Sequence, residues 1–399
     1  MKLQRVHAHA LWGTGILTAD ELAELNRGLD AIAAEFESVP CPDSDAEDLH
    51  TWVEALLTEK AGPAGKKIHT ARSRNDQVAT LLKMYVIVAG EELSGRLRRL
   101  IGVTCQRAQD WADLVFPLHT HTQFAAPGSV GFWVLRYATA FDRIRRHVDF
   151  CVREWRRHCP LGAGAVAGSS IPIDRRLQAE GLGFDRPSPN ALEATSTRDE
   201  CVEMLALAAQ VALHLQSLAA DVILFSQTPL GWTRYPAPFG TGSSMMPNKQ
   251  NPDAMELLRG HGTAVLSAHG QALTLLKGLC GGYNRDLQCI KPLVRQTVET
   301  LSVLCRLAEA FLEQLEFDRE RITASLAEGG IGATLRMEQK VLEGLPLREA
   351  HHAVAADVRT GGEAALAGDV GSAARYQTIG SASPVETRRA AAELLRALG

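Results

Sequence analysis

Between Thr18 and Ser38 the chain reads TADELAELNRGLDAIAAEFES, and Leu22, Leu25, Leu29, Ile32 and Phe36 recur at helical spacing. Thr18 with Glu21 three residues on is a capping-box signature, so an amphipathic helix is predicted to begin there. Cys41 to Asp48 reads as a polar linker, and Glu47-Asp48-Leu49-His50 opens a second helical stretch through Leu57. From Gln77 onward the period lengthens. Val78, Leu81, Leu82, Tyr85, Val86, Leu93, Leu97, Leu100 and Ile101 hold it well beyond an ordinary helix. Similar patterns run from Gly131 to Cys151, Cys201 to Phe225, Ala254 to Leu279 and Leu293 to Phe317. Short alternating runs between turns, the mark of strands, are nearly absent. The pattern therefore predicts an all-α fold: a central bundle of long helices flanked by two smaller helical domains. The expected boundaries are 1–76, 77–327 and 328–399, the last where Gly, Ala and shorter helices return.

With 399 residues, 46% of them hydrophobic, the chain can bury a large core. A net charge of -4 and a pI near 6.4 provide no basic stripe, which excludes a nucleic-acid partner. The eight cysteines lack CxxC spacing, so neither a disulfide framework nor a zinc site is indicated, and a reducing cytoplasm is the expected compartment. The opening MKLQRVHAHALWGTG has no signal-peptide pattern, and no apolar run reads as long enough to span a membrane.

Candidate chemistry concentrates in Gly242–Glu256, GSSMMPNKQNPDAME. Gly242 and two serines make a pliable polar loop, Lys249 adds a positive charge, and Asn251, Pro252 and Asp253 read as a helix start. A helix N-terminus beside a lysine suits an anion. The preceding PLGWTRYPAPFGT, Pro229–Thr241, has no apolar period and is expected to close over a ligand. A plain helix boundary would share that composition. In Lys66–Thr80, KKIHTARSRNDQVAT, the residues Ser73, Arg74 and Asn75 are donors suited to carboxylate oxygens, although a charged cluster is also what a solvated turn presents. His119 and His121 in FPLHTHTQFAAP have no carboxylate at ligand spacing, so a metal is not expected, nor any other cofactor. The Gly-rich GAGAVAGSSIPIDR from Gly162 to Arg175 lacks the GK[ST] of a phosphate loop.

GSSMMPNKQNP resembles the GSSxMPxKxNP signature of the fumarase and aspartase superfamily. HTARSRNDQVAT, THTQ from Thr120, ATSTRD from Ala194, YNRDLQCIK from Tyr283 and GLPLREAHH from Gly344 narrow the resemblance to argininosuccinate lyase, and it runs through nearly the whole chain. The resemblance implies the superfamily's all-α fold and a carbon–nitrogen lyase that releases fumarate from an N-substituted aspartate, with a small dicarboxylate as its partner. It casts Ser243 as general base, His121 as general acid or its positioner, Glu256 as the carboxylate orienting His121, and Lys249 as the activating cation. It places Ser73, Arg74, Asn75, Thr120, Gln123, Ser196, Arg198, Asn251, Tyr283, Gln288 and Lys291 around the substrate, with Asp48 and His50 in a motif like the family's ED-I-H. It further implies a homotetramer with active sites shared among subunits.

Departures from the family pattern bear on the substrate rather than the reaction. His119 stands for a tyrosine, Phe124 for an arginine, Ala126 for a glutamine, Gln250 for a lysine, and Cys289 and Ile290 for acidic residues. For the last two, helix packing is the expected role. The chain also begins late relative to the family's pattern, with Gln4 about where a substrate-gripping serine is expected. Argininosuccinate is the simplest substrate. A different N-succinyl amine, or a catalytically silent structural member of the family, are the rival expectations.

Overall fold

The computed structural model describes residues 1–38, 45–236, 239–359 and 366–398; part of the expected Cys41–Asp48 linker lies outside them. The helices are α1 (Lys2–Gly13), α2 (Ala19–Ser38), α3 (Leu49–Ala61), α4 (Arg74–Asp110), α5 (Val130–Trp155), α6 (Arg175–Leu182), α7 (Ala191–Ser196), α8 (Asp199–Ser226), α9 (Asp253–Leu276), α10 (Ile290–Gln314), α11 (Arg319–Ser325), α12 (Ala333–Leu342), α13 (Leu347–Arg359) and α14 (Pro384–Ala397). Strands are short: β1 (Val115–Thr120), β2 (Gln123–Ser129), β3 (His158–Cys159), β4 (Arg186–Pro187), β5 (Thr233–Arg234), β6 (Thr241–Gly242), β7 (Gln250–Asn251) and β8 (Glu316–Phe317). The all-α expectation holds, with α4, α5, α8, α9 and α10 as the long helices.

Sequence signals at the helix starts translate directly into hydrogen bonds. Glu21 N–H donates to Thr18 Oγ1 at 3.2 Å and Thr18 N–H to Glu21 Oε2 at 2.9 Å, the reciprocal box that starts α2. Asp48 accepts from Thr51 N–H at 2.7 Å to start α3, and Asp174 accepts from Arg176 and Leu177 to start α6. Asn190 caps α7, which ends after Ser196; Thr197 is extended (φ -75°, ψ 153°) and α8 begins anew at Asp199. Asn190–Asp199, which the sequence pattern reads as the start of the rod running to Phe225, thus makes a short helix, a break, and then the rod.

The chain divides into two compact units, Met1–Glu91 with Asp149–Met204 and Gly270–Arg295, and Glu92–Val148 with Leu205–His269 and Gln296–Gly399. In the first, Leu11, Leu17, Leu25, Leu29, Ile32, Leu57 and Ile68 form a core between α1, α2 and α3. Here Gly90 of α4 meets α5 so closely that a Cβ would lie 2.6 Å from Val152 Cγ2. In the second, Gly131 plays the same part where α5 begins. A Cβ there would come within 2.2 Å of the Ala108 carbonyl oxygen, so glycine alone allows the approach.

FPLHTHTQFAAP holds a strand pair among the helices: β1 and β2 pair antiparallel from Val115↔Ser129 to Thr120↔Gln123, with an irregularity between Leu118 and His119. The expectation that no apolar run could span a membrane is corrected: α8 is long and apolar enough, by composition, to cross one. Its apolar residues are instead largely packed in protein: Leu205, Ala208, Val211, Ala212, Leu215, Leu218, Ala219 and Val222 are all buried.

Candidate active site

In the first unit the ARSRND stretch is locked at the start of α4. Ser73 Oγ accepts from Asn75 N–H at 3.2 Å while Asp76 Oδ1 accepts from Ser73 N–H at 3.0 Å, so Ser73 is the helix cap. The other Asp76 oxygen accepts from Gly162 and Gly164 N–H, both at 2.9 Å, pinning the Gly-rich loop. Burial pushes the Asp76 carboxyl up to about 6 against the pull of these N–H donors and Arg72. Asn75 Nδ2 donates to Ala165 O at 3.3 Å across the same junction. Ala71, at φ 58°, turns the chain into the motif through left-handed backbone.

The arginines are already paired. Buried Arg72 donates to Gln4 at 2.6 Å and Glu54 at 3.0 Å; Arg74 pairs with Glu54 at 3.0 Å and Asp48 at 3.2 Å. Burial would raise Glu54, but hydrogen bonds from His69 and Arg74 and the Arg72 charge outweigh it and hold the carboxyl at about 2. Desolvation lowers His50, with the neighbouring cations Arg74, Lys291 and Arg72 adding to it and Asp48 opposing.

The remaining expected binding residues of this unit fall in two places. Ser196 Oγ donates back to Leu192 O at 2.7 Å, and Arg198, 2% exposed, donates to the Thr195 and Thr197 carbonyls while its Nε has no hydrogen-bond partner. Gln288 donates to Tyr283 Oη at 3.2 Å ahead of α10. Lys291, in the first turn of α10, is lowered by desolvation and the Arg198 charge, with Asp48 opposing. It lines a cavity of about 440 Å³ with His50, Val78, Leu81, Leu82, Tyr85, Pro292 and Arg295. Of the two departures expected to pack, Ile290 is fully buried, but Cys289 is exposed at the end of a short helical stretch, Arg285–Cys289.

In the second unit, the stretch expected to close over a ligand is anchored through its first half. Trp232 is fully buried and donates to Ser325 Oγ at 2.9 Å, its carbonyl accepts from Asp318 N–H at 2.8 Å, and Thr233–Arg234 pairs with Glu316–Phe317. An indole in the core costs too much to withdraw for that half to act as a lid. What projects is the next segment. β6 and β7 pair through Thr241↔Asn251 and Gly242↔Gln250, and Asp253 at the start of α9 accepts from Thr241 N–H at 3.0 Å and from its hydroxyl. The intervening loop carries Ser243, half-buried, and Lys249, exposed; Met245 is 88% exposed. Ser243 Oγ accepts from Met245 N–H at 3.3 Å and Met246 N–H at 3.0 Å. Two backbone donors on a hydroxyl oxygen stabilise negative charge there, as a serine acting as a base requires. Asn251 sits in β7 and Glu256 is exposed in the first turn of α9.

Thr120, His121 and Gln123 lie exposed at the tip of the β1–β2 hairpin. His121 and Thr122 form its two-residue turn at φ 54° and 60°, a conformation that favours Asn-Gly and is costly for His-Thr. Among the described residues Ala71, His121 and Thr122 are the non-glycines with positive φ. All three stand in the segments singled out for chemistry. Within one chain no hydrogen bond joins Glu256 to His121. His119 does not share the tip: its ring packs against Phe124 at 5.1 Å and Phe225 at 6.0 Å, and Phe124 stacks on Trp232 at 5.8 Å. These substitutions build an aromatic core under the hairpin.

Sequence reasoning missed Glu54, Asp76, His7 and Gln178. His7 is buried, its Nε2 at 2.9 Å from Thr70 O and its Nδ1 at 2.9 Å from Gln178 Nε2, and desolvation with the Arg72 charge drives it down to about 3. It is therefore neutral, donating from Nε2 and accepting at Nδ1. Asp76 was legible as the fourth residue of a Ser-x-x-Asp cap; the partners of His7 lie far off in sequence.

Residues 2–267 match the family model described as lyase. The argininosuccinate lyase of Thermus thermophilus is 41% identical over 359 residues, covering 89% of this chain and 77% of that protein. That of Koribacter versatilis is 37% identical over 356 residues, covering 88% and 76%. Among solved structures, EDDS lyase in complex with formate superposes with a TM-score of 0.88 at 22% identity, over 100% of this chain and 85% of that one. A fumarate lyase from Mesorhizobium sp. BNC1 gives 0.74 at 20%, over 98% and 89%. Such identities carry the fold alone, whereas the matches to the family model and to the curated enzymes carry the family: this chain belongs to the argininosuccinate lyases of the fumarase and aspartase superfamily.

Proposed function

We propose that the protein is a carbon–nitrogen lyase that eliminates fumarate from an N-substituted aspartate, most simply argininosuccinate, with arginine as the second product. The observation carrying this reading is the Ser243 hydroxyl, held by two backbone N–H groups on a loop that projects from a tied base and carries Lys249 and Asn251 in the same hairpin. Ser243 takes the proton from the carbon beside a carboxylate, and Lys249, Asn251 and the start of α9 stabilise the charge that builds on that carboxylate. The electron pair left behind forms the carbon–carbon double bond as the carbon–nitrogen bond breaks, and the departing nitrogen takes a proton from His121, with Glu256 as its orienting carboxylate. Ser73, Arg74, Asn75, Thr120, Gln123, Ser196, Arg198, Tyr283, Gln288 and Lys291 bind the substrate, the cations among them meeting its carboxylates.

The assembly is a homotetramer in which neighbouring copies share each active site, and the compartment is the cytoplasm. Long helices that leave Val88, Leu213, Leu257, Leu273 and Val303 at least half exposed support association through their flanks. Incubating the purified protein with argininosuccinate and following fumarate by ultraviolet absorbance tests the reading. Fumarate release is the expected result, and its absence from argininosuccinate and from every N-substituted aspartate offered rejects it.

A further inference from the structure

The mechanism above leaves the buried ring of His7 without a role. α1 presents Gln4 and His7 one turn apart on a buried face, and they grip the chain on either side of the left-handed Ala71. Gln4 Oε1 accepts from Arg72 Nη1 at 2.6 Å, and His7 Nε2 lies 2.9 Å from the Thr70 carbonyl oxygen. A carbonyl only accepts, so Nε2 carries the proton and the neutral ring keeps Nδ1 as an acceptor. Gln178 Nε2 donates to it at 2.9 Å. α6 keeps that amide within reach because it packs tightly on α1: a Cβ on Gly181 would lie 2.9 Å from Val6 Cγ2. Gln178 also rests on the Gly-rich loop, where a Cβ on Gly162 would come within 2.7 Å of its Oε1. The same Gly162 donates its N–H to Asp76, whose other oxygen accepts from Ser73 N–H. The contacts close a circuit: from Gln178 through His7 to Thr70, over Ala71 to Ser73 and Asp76, and back through Gly162.

Resting on the lyase reading above, we infer that His7 is a positioning residue for the dicarboxylate, acting through the Thr70 carbonyl to hold the turn at Ala71 and so to aim Ser73, Arg74 and Asn75, with Gln178 fixing the tautomer that makes the hold. An alanine in left-handed backbone relaxes unless its neighbours over-determine it, and the donors that follow within four residues move with it. Without the Gln178 donor the ring proton can pass to Nδ1, which turns a bare Nε2 lone pair on the Thr70 carbonyl. His7 is fully buried and works through the backbone, so its loss weakens the grip on the dicarboxylate rather than slowing proton transfer.

Fumarate binding by calorimetry and fumarate release from argininosuccinate, both on the whole purified protein, test the role. In His7→Met the Kd for fumarate and the KM for argininosuccinate should rise about tenfold, while kcat per folded molecule stays within about twofold of the parent. His7→Gln restores a donor toward Thr70 and an acceptor toward Gln178, and should bring both constants back to within about threefold. Gln178→Met should weaken binding about fivefold, and the double variant no more than His7→Met alone, because both changes act on one hydrogen bond. Unchanged binding in His7→Met, a fall in kcat with binding intact, or His7→Gln as poor as His7→Met overturns the positioning role and leaves the lyase reading standing. A parent that binds fumarate but releases none from argininosuccinate or any other N-substituted aspartate overturns the lyase reading, and the Kd values then decide the positioning role by themselves. A parent that binds no fumarate overturns the role outright. Should His7→Met fold poorly, Gln178→Met decides, and a Kd equal to the parent's counts against His7.

Discussion

The ARSRND segment and the GSSMMPNKQNP loop carry equally long family motifs but are held in opposite ways. In the first, the polar side chains have partners within the fold, with Ser73 in a cap, Arg74 between two carboxylates and Asn75 on a carbonyl. The second is tied only at its base, by β6–β7 and Asp253, and presents Lys249 to solvent. The difference teaches that a motif's binding residues divide into those held in place by partners within the fold and those presented on a loop tied at its base. Composition does not distinguish them. If the division is right, breaking the first segment should cost stability and breaking the second should cost rate.

The sharpest break is Ser243→Ala. It should lower kcat for fumarate release about a thousandfold while leaving the thermal midpoint and assembly unchanged. Residual activity near wild type would assign the base elsewhere. The converse is Asp76→Ala, which strands the Ser73, Gly162 and Gly164 N–H groups and should destabilise by about 3 kcal/mol in denaturant titration. A variant as stable as the parent would show that the buried carboxylate is not the pin.

The long helices, the cap at Thr18 and the helix start at Asp48 were legible, because each is written in local spacing. The β1–β2 hairpin was not, since its turn is His-Thr rather than a pair that favours positive φ, and strain of this kind leaves no compositional trace. Nor was the anchoring of Trp232, whose partner Ser325 lies 93 residues away. The pairing of Arg72 with Gln4 and Glu54 is equally nonlocal, so the sequence could offer Arg74 to a substrate without revealing the carboxylates already beside it.

Acid should separate the segments further. Glu54 is held at about 2 in the folded protein against an ordinary 4.5, so its contribution is fully present above 4.5 and is lost as the pH falls through 2. Neutral His7 acts in the same direction from higher pH: its folded value near 3 against 6.5 means stability is lost as the pH falls from 6.5 toward 3. Glu54→Gln should flatten the lower part of that decline by about 1 kcal/mol, discounted because the carboxylate is partly solvated, as read from unfolding midpoints across the acid range. An unchanged slope would remove Glu54 from the network that holds the first segment.

The smallest effect tests the tie at the base of the loop. Asp253 contributes one carboxylate oxygen to both the Thr241 N–H and hydroxyl, on the surface where a single hydrogen bond is worth little to stability. In Asp253→Asn that oxygen can remain an acceptor, but the charge facing the first turn of α9 is gone. The thermal midpoint should stay within about 1 °C. Rate should suffer more, because Ser243 and Lys249 depend on that base for their position and slight misplacement of a reacting group is expensive. A fall in kcat of about threefold to tenfold with KM nearly constant is the expected result. If KM rises instead and kcat holds, the loop's base serves substrate capture, and the assignment of the projecting segment to the chemical step is the part to give up.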